Sequence, residues 1–384
     1  MIMWLDKSRN PNSPLAGLKV LDLSRVLAGP WAGQILADLG ADVVKVESPD
    51  GDTTRTWSPP ILNRPDGTAE AAYYHTCNRG KRGVIADFNA AEDLSKINEL
   101  ANTADVLIEN FKPGTLAKFG LNYTSISANN PALVYCSITG FGQNGPRRDE
   151  PGYDFVAQGM SGLMSLTGEP EGAPMKMGVS ISDLACGTWS ANAIQAALLM
   201  RHRTGRGQHI DMALLDCSVA LLANQAMSYF ATGDQPDRMG NAHAQVSPYG
   251  VYPTSDGHII LAPANDRLFQ KLMDALGLDD LARDPRFADN AGRIEHRRPL
   301  EAAIEEKTRG LTRAELLEIC RLRGVPAAPI NRLDDVFADP QIIAREMLVE
   351  LDGVQGIRTP FNFSDAELAL DVPSPRLGEH QNEL

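Results

Sequence analysis

Along the first half of the chain, short apolar runs alternate with stretches whose apolar positions recur every three to four residues. In "LKVLDLSRVLAGP" (18–30) the strand pattern covers Lys19 to Leu23 and a loop follows it. "WAGQILADLGADVVKVE" (31–47) predicts a helix, a stop at Gly40 and a second strand. A third strand lies in "NRGKRGVIADF" (78–88), behind a basic cluster. "AEDLSKINELANTADVLIENF" (91–111) reads as a helix then a strand, and "PALVYCSITGFG" (131–142) as a strand entering a glycine-rich loop. A helix from about Asp183 to His202 closes this block. Helices alternating with Val/Ile-rich strands predict a large Rossmann-like α/β domain built on a parallel sheet.

"GQHIDMALLDCSVALLANQAMSYF" (207–230) continues with a strand and a helix. The pattern then changes. "PYGVYPTSDGHIILAPA" (248–264) is a hairpin signature turning at Ser255-Asp256-Gly257, and polar helices follow at 265–278 and 298–320. This predicts a smaller α+β domain over 226–325. The large domain then takes 1–205 and 330–384, with crossing segments at 206–225 and 326–345, the second of them proline-punctuated. The tail 359–380 reads as a loop-like segment packed on the large domain.

A length of 384 residues fits two domains. The net charge of -13 argues against nucleic acid or an anionic membrane as the main partner, while leaving room for a local basic pocket. Five scattered cysteines without a CxxC pair predict a reducing, cytoplasmic setting rather than a disulfide framework. Seven dispersed histidines show no HExxH or Cys/His cluster, so no metal site is expected. Neither the opening segment nor any later apolar run has membrane-spanning length.

Three features carry candidate chemistry. "GFGQNG" (140–145) matches GxGxxG after a strand, yet Pro146 and "RRDEPGYD" do not open a helix, so a ligand-lining loop is the better reading than a dinucleotide site. Arg55, Arg79, Lys81, Arg82, Lys112 and Lys118 gather near strand ends and could hold a phosphorylated ligand, against the plain alternative of solvated surface charge. Asp183, among small residues where a long helix begins, could be a helix cap, with Ser182 the other capping candidate. An ionised carboxylate at a helix N-terminus can equally be a nucleophile toward an activated acyl group. Composition leaves both readings of Asp183 open.

The segments 14–47, 51–57, 78–88, 104–121, 137–146, 152–168 and 183–211, with weaker matches at "GVPAAPIN" and "RLGEH", together resemble the family III CoA-transferases. The resemblance implies an interlocked homodimer and a CoA thioester as co-substrate, with no permanently bound cofactor. It places the family's nucleophilic aspartate on Asp183, which would carry a mixed anhydride and then an aspartyl-CoA thioester. CoA contacts carried over one position at a time fall on Leu27, Ala28, Arg82, Ala86, Asp87, Asn110, Phe111, Lys112, Lys118, Thr139, Gly140, Phe141 and Gly142. Leu27, Ser48 and Thr139 stand where formyl-CoA transferase has glutamine, arginine and lysine, which points away from formate and oxalate. The wording is similar instead to transferases that exchange CoA between dicarboxylic acids. For a second substrate carboxylate Arg55 is the first candidate, then Arg79, with Tyr153 also at the substrate. The alternatives are an α-methylacyl-CoA racemase, whose histidine position holds Tyr153, and a non-catalytic acyl-CoA-binding protein.

Overall fold

The computed structural model describes residues 4–5 and 10–383. Most of the opening segment (1–3 and 6–9) and residue 384 lie outside the described residues, and with them that part of the reading of the N-terminus. Two units emerge. The first takes the chain up to Met164, Lys176–Gly233 and the chain from Gln341 onward; the second takes Ser165–Met175 and Asp234–Pro340. The second unit therefore starts later and ends later than the expected 226–325, and it borrows an excursion from the middle of the first.

Six strands form the sheet of the first unit: β1 (Lys19–Asp22), β2 (Asp42–Glu47), β3 (Lys81–Ile85), β4 (Val106–Glu109), β5 (Val134–Thr139) and β6 (Gln208–Ala213). Their order is β3-β2-β1-β4-β5-β6 and every pairing is parallel. Adjacent residues face opposite sides of the sheet. Val20, Val43, Val106 and Ile108 pack on one side with α1 (Ala28–Asp38). Leu21, Val44 and Leu107 pack on the other with α2 (Ala91–Thr103). Burial on both faces explains the near-continuous Val/Ile/Leu runs in the sequence.

Strand order reverses between β1 and β4, and in such sheets ligands bind outside the carboxyl ends at that switch. Three further helices shape this edge: α3 (Asp154–Ser161), α4 (Ile181–Thr204) and α5 (Leu214–Ala220). The strand expected at the start of 207–230 is β6, and the helix expected after it is split, with a second piece at Ala223–Thr232. α4 rides closely on α1: a Cβ at Gly187 would sit 2.4 Å from the Ala28 carbonyl oxygen and 3.0 Å from Trp31. Only glycine allows that approach, which draws the first turn of α4 toward the start of α1. The basic exit of α4 is structural: Arg201 bonds Asp105 at 2.9 Å and Gly205 ends the helix at φ +70°.

In the second unit β7 (Gly250–Thr254) and β8 (Gly257–Leu261) form the hairpin read from the sequence, with β9 (Ala327–Pro329) antiparallel to β8. Asn265 caps α6 (Asp266–Leu276) by accepting the Leu268 N–H. The segment 298–320 makes two helices, α7 (Arg297–Thr308) and α8 (Arg313–Arg323), because Thr312 and Glu315 form a capping box that starts a new one. The tail packs on the first unit, Ala369 N–H to the Asp38 carbonyl at 2.8 Å, and a hairpin at Leu348–Leu351 and Val354–Ile357 precedes it. Among the described residues no helix is long and apolar enough to cross a membrane.

Candidate active site

A cavity of about 560 Å³ opens at the switch, at the carboxyl ends of β1, β4 and β5. Arg25–Ala28 form one wall, Asn110–Pro113 a second, and Thr139, Gly140 and Arg148–Tyr153 a third. Thr53, Ile138, Leu214 and Asp183 complete the lining. The first two walls are locked together: the Asn110 side chain accepts the Arg25 N–H (2.8 Å) and donates to the Arg25 carbonyl (2.6 Å). Asp52 accepts the Val26 N–H at 3.2 Å and pairs with buried Lys45 at 3.0 Å. Those contacts hold Val26 at φ +70°, a strained conformation for a β-branched residue. The third wall is pinned where Gly140 meets Gly152, since a Cβ on either would lie within 2.6 Å of the other's Cα. Glu109 supports the second wall by accepting the Phe111 N–H at 2.8 Å, and burial pushes its carboxyl up to about 7.

Asp183 lies in the first turn of α4, which starts at Ile181. The N-cap is Ser180 and makes no side-chain capping bond, so neither Ser182 nor Asp183 caps the helix. Capping comes from a distant residue that the sequence reading missed. Asp154, first in α3, accepts the Ser182 N–H at 2.8 Å and the Asp183 N–H at 3.4 Å. The Asp183 carboxylate therefore faces the cavity without serving its own helix. Burial pushes its carboxyl up to about 7, and the Asp154 charge adds to the rise. This corrects the expectation that the helix N-terminus keeps it ionised in the ordinary range, because desolvation and like charge outweigh the partial charge of the helix end.

The matching family profile is CoA-transferase family III, over residues 15–381. The chain belongs to CoA-transferase family III. It is 51% identical to a succinate–glutarate CoA-transferase of Agrobacterium fabrum, covering 98% of this chain and 96% of that protein. It is 38% identical to a human succinyl-CoA:glutarate CoA-transferase, covering 98% and 86%. A CAIB/BAIF family protein from Brucella suis superposes with a TM-score of 0.88 at 55% identity, covering 97% of this chain and 98% of that one. The protein is thus a CoA-transferase, and a CoA thioester is its co-substrate.

In this transferase the cavity gathers Leu27, Ala28, Asn110, Phe111, Lys112, Thr139, Gly140, Tyr153 and Asp183 from the residues read in the sequence. Phe141 and Gly142 sit in the adjoining loop, where Gly142 N–H donates to Thr139 Oγ1 at 2.9 Å. Ala86, Asp87 and Lys118 do not line the cavity; Ala86 is core, and Lys118 is exposed over the Phe119 ring.

The cations need correction. Arg55 is buried against Glu47 (2.7 Å) and Glu70 and stacks on Tyr74, so its guanidinium has no face left for a substrate carboxylate. Arg79 forks onto Asp38 (2.6 Å) and donates to the Ile357 carbonyl. Arg82 pairs with Asp42 (2.7 Å), and Lys81 with Asp22 (2.8 Å). Four of the six cations read as a ligand cluster, Arg55, Arg79, Lys81 and Arg82, are thus held in internal ion pairs. The cations that do line the cavity are Arg25, Lys112 and Arg148. Arg25 was missed, although its place immediately after β1, at the switch, was a usable signal. Among the described residues no group of three or more His, Cys, Asp or Glu could hold a metal ion.

The raised Asp183 carboxyl has a consequence for stability. Its proton is held more tightly in the folded chain than in the unfolded one, where the value is about 4. The associated stability is complete below that unfolded value and is lost as pH rises through about 7. Asp183→Asn removes this dependence. Thermal unfolding should give the variant a Tm a few degrees above wild type at pH 8, with the difference closing toward pH 4. An equal difference at both pH values contradicts the assignment.

Proposed function

We propose that this transferase exchanges CoA between dicarboxylic acids, with Asp183 as the acyl acceptor. The observation that carries this reading is a desolvated Asp183 carboxyl, raised by burial and by Asp154, in one cavity with Arg25. Asp183 attacks the donor thioester: its oxygen bonds to the acyl carbon, the C–S bond breaks, and CoA thiolate leaves with the electron pair. The thiolate attacks the Asp183 carbonyl of the mixed anhydride, releasing the donor acid and forming an aspartyl-CoA thioester. The acceptor carboxylate attacks that thioester, and the same steps run in reverse.

The N–H groups of Ser182, Asp183, Gly142 and Gln143 are already occupied, so they are not the oxyanion donors. The first turn of α1 has neither a side-chain cap nor an acidic residue, and its start lines the cavity. That helix end suits a developing oxyanion. Leu27, Ala28, Asn110, Phe111, Lys112, Thr139 and Gly140 are the proposed CoA contacts. Tyr153, 63% exposed at the cavity wall, stands where the racemase reading needs a histidine as its second base.

Arg25 is the proposed partner of the distal carboxylate. Its backbone is fixed on both sides by Asn110 and its guanidinium lies over the Phe111 ring at 4.8 Å. The relatives named for succinate and glutarate support dicarboxylates. A panel of mono- and dicarboxylates assayed with wild type and Arg25→Ala tests this. We expect kcat/KM for dicarboxylates to fall roughly 10- to 100-fold in the variant, with monocarboxylates little changed. A wild-type preference for monocarboxylates would sink the reading.

A homodimer in a reducing compartment completes the proposal. Leu199 and Phe230 are 73% and 72% exposed, apolar surface that suits a second copy. All five cysteines are free thiols, as a reducing compartment would keep them.

A further inference from the structure

We propose that Asp154 is a positioning residue for Asp183, fixing the first turn of α4 through its backbone and setting a negative potential that favours the acylated, uncharged form of the Asp183 side chain. The inference rests on Asp183 being the acyl acceptor. Both oxygens of Asp154 are committed. One accepts the Ser182 and Asp183 N–H groups, and the other accepts Gln158 Nε2 at 2.7 Å. Gln158 is oriented in turn, because its Oε1 accepts the Met177 N–H at 2.9 Å. From α5, Ser218 donates to Ser182 Oγ at 2.7 Å, which holds the same turn from its other side. The nucleophile thus sits on a turn whose backbone is held by one acidic side chain.

Other groups surround Asp183 as well. The Tyr73 phenol is hydrogen-bonded to the Ser180 side chain, and α5 presents uncharged Ser218. The cavity walls carry Arg25 and Lys112 on one side and Arg148, Asp149, Glu150 and Tyr153 on the other, with Asp149 beside Arg148 and Glu150 paired with Arg147 at 2.9 Å. Burial raises the Asp183 carboxyl most, and the charge that raises it further is that of Asp154.

That charge discriminates between states of the reaction. In the free enzyme two carboxylates repel. Once Asp183 attacks the thioester, its negative charge departs with the CoA thiolate and Asp154 faces a neutral anhydride. When the thiolate attacks in turn, the charge departs with the donor acid and Asp154 faces a neutral thioester. Asp154 therefore penalises the free carboxylate and leaves both covalent intermediates untouched, which raises the basicity of the nucleophile and the fraction of enzyme acylated.

Asp154→Asn combined with Gln158→Glu separates charge from positioning. The amide oxygen still accepts the Ser182 N–H, the amide nitrogen donates to the introduced carboxylate, and that carboxylate still accepts the Met177 N–H. The charge moves from residue 154 to residue 158, off the side chain that holds the Ser182 and Asp183 N–H groups. The acid limb of kcat/KM, expected near pH 7 in wild type, should move down by about one pH unit or more. Exchange at pH 8 should fall roughly tenfold as the nucleophile becomes less basic. Should the double variant fold poorly, Asp154→Asn alone keeps the capping oxygen and should move the limb the same way. An acid limb that stays near pH 7 in a folded variant overturns the inference. Hydroxylamine trapping on the wild type is run in parallel. If Asp183 is not labelled, the acyl-acceptor reading itself has failed; if it is labelled and the limb does not move, only the role of Asp154 has.

Discussion

Asp183→Ala abolishes CoA exchange, by on the order of 10⁴-fold or more, while CoA binding persists. The expected size follows from covalent catalysis. Without the carboxylate neither the anhydride nor the aspartyl thioester can form, and direct attack of one acid on another's thioester remains the slow alternative. Binding survives because the walls do not depend on Asp183. Arg25 and Asn110 hold each other, Asp52 holds Val26, and Gly140 meets Gly152. Calorimetry with CoA alongside an exchange assay checks both halves. Retained turnover would mean that Asp183 is not the acceptor, and loss of both activities would mean that it shapes the cavity rather than reacting in it.

Arg79→Ala should be the most destabilising change considered, at about 3–5 kcal/mol. Asp38 is fully buried, and it receives both arms of the Arg79 guanidinium (2.6 and 3.1 Å) and the Thr359 hydroxyl (2.5 Å). Arg79 also donates to the Ile357 carbonyl, so one side chain ties the end of α1 to the C-terminal segment. Removing it strands a buried carboxylate, which is far worse than replacing the whole pair with apolar groups. Chemical denaturation should show the midpoint fall with little change in slope. Folded variant at low temperature should keep the wild-type KM for the acceptor acid. A raised KM with unchanged stability would return Arg79 to the substrate.

This contrast marks what was legible in the sequence. Apolar runs and glycine stops gave away β1 to β6, α1 and α2 because those signals are local. Charge pairing is not local. Arg79, Lys81 and Arg82 sit within four positions and look like a basic patch, but their partners Asp38, Asp22 and Asp42 lie about 40 to 60 residues earlier. Only the assembled sheet, with α1 packed on it, brings them together. The visible clue was "DVVKVE", where Asp42, Lys45 and Glu47 interrupt an otherwise apolar buried strand. Buried charges are retained where they are paired.

The site was legible in the same uneven way. Leu27, Asn110 and Thr139 converge because strand ends at a topological switch converge, and the first turn of α4 brings Asp183 to the same cavity. Arg25 escaped notice as a single cation in an apolar loop. Asp154 escaped because the residue capping α4 lies 28 positions before the N–H it accepts. Sequence searches for caps look one to three residues upstream, where Ser180 offers a hydroxyl that the helix does not use.

The most direct test of the central claim is to incubate the transferase with succinyl-CoA, quench with hydroxylamine and map the peptides by mass. The account predicts a hydroxamate on the peptide containing Asp183, formed only when acyl-CoA is present and lost in Asp183→Ala. A hydroxamate on another carboxylate, or exchange at full rate with no labelled peptide, would contradict it.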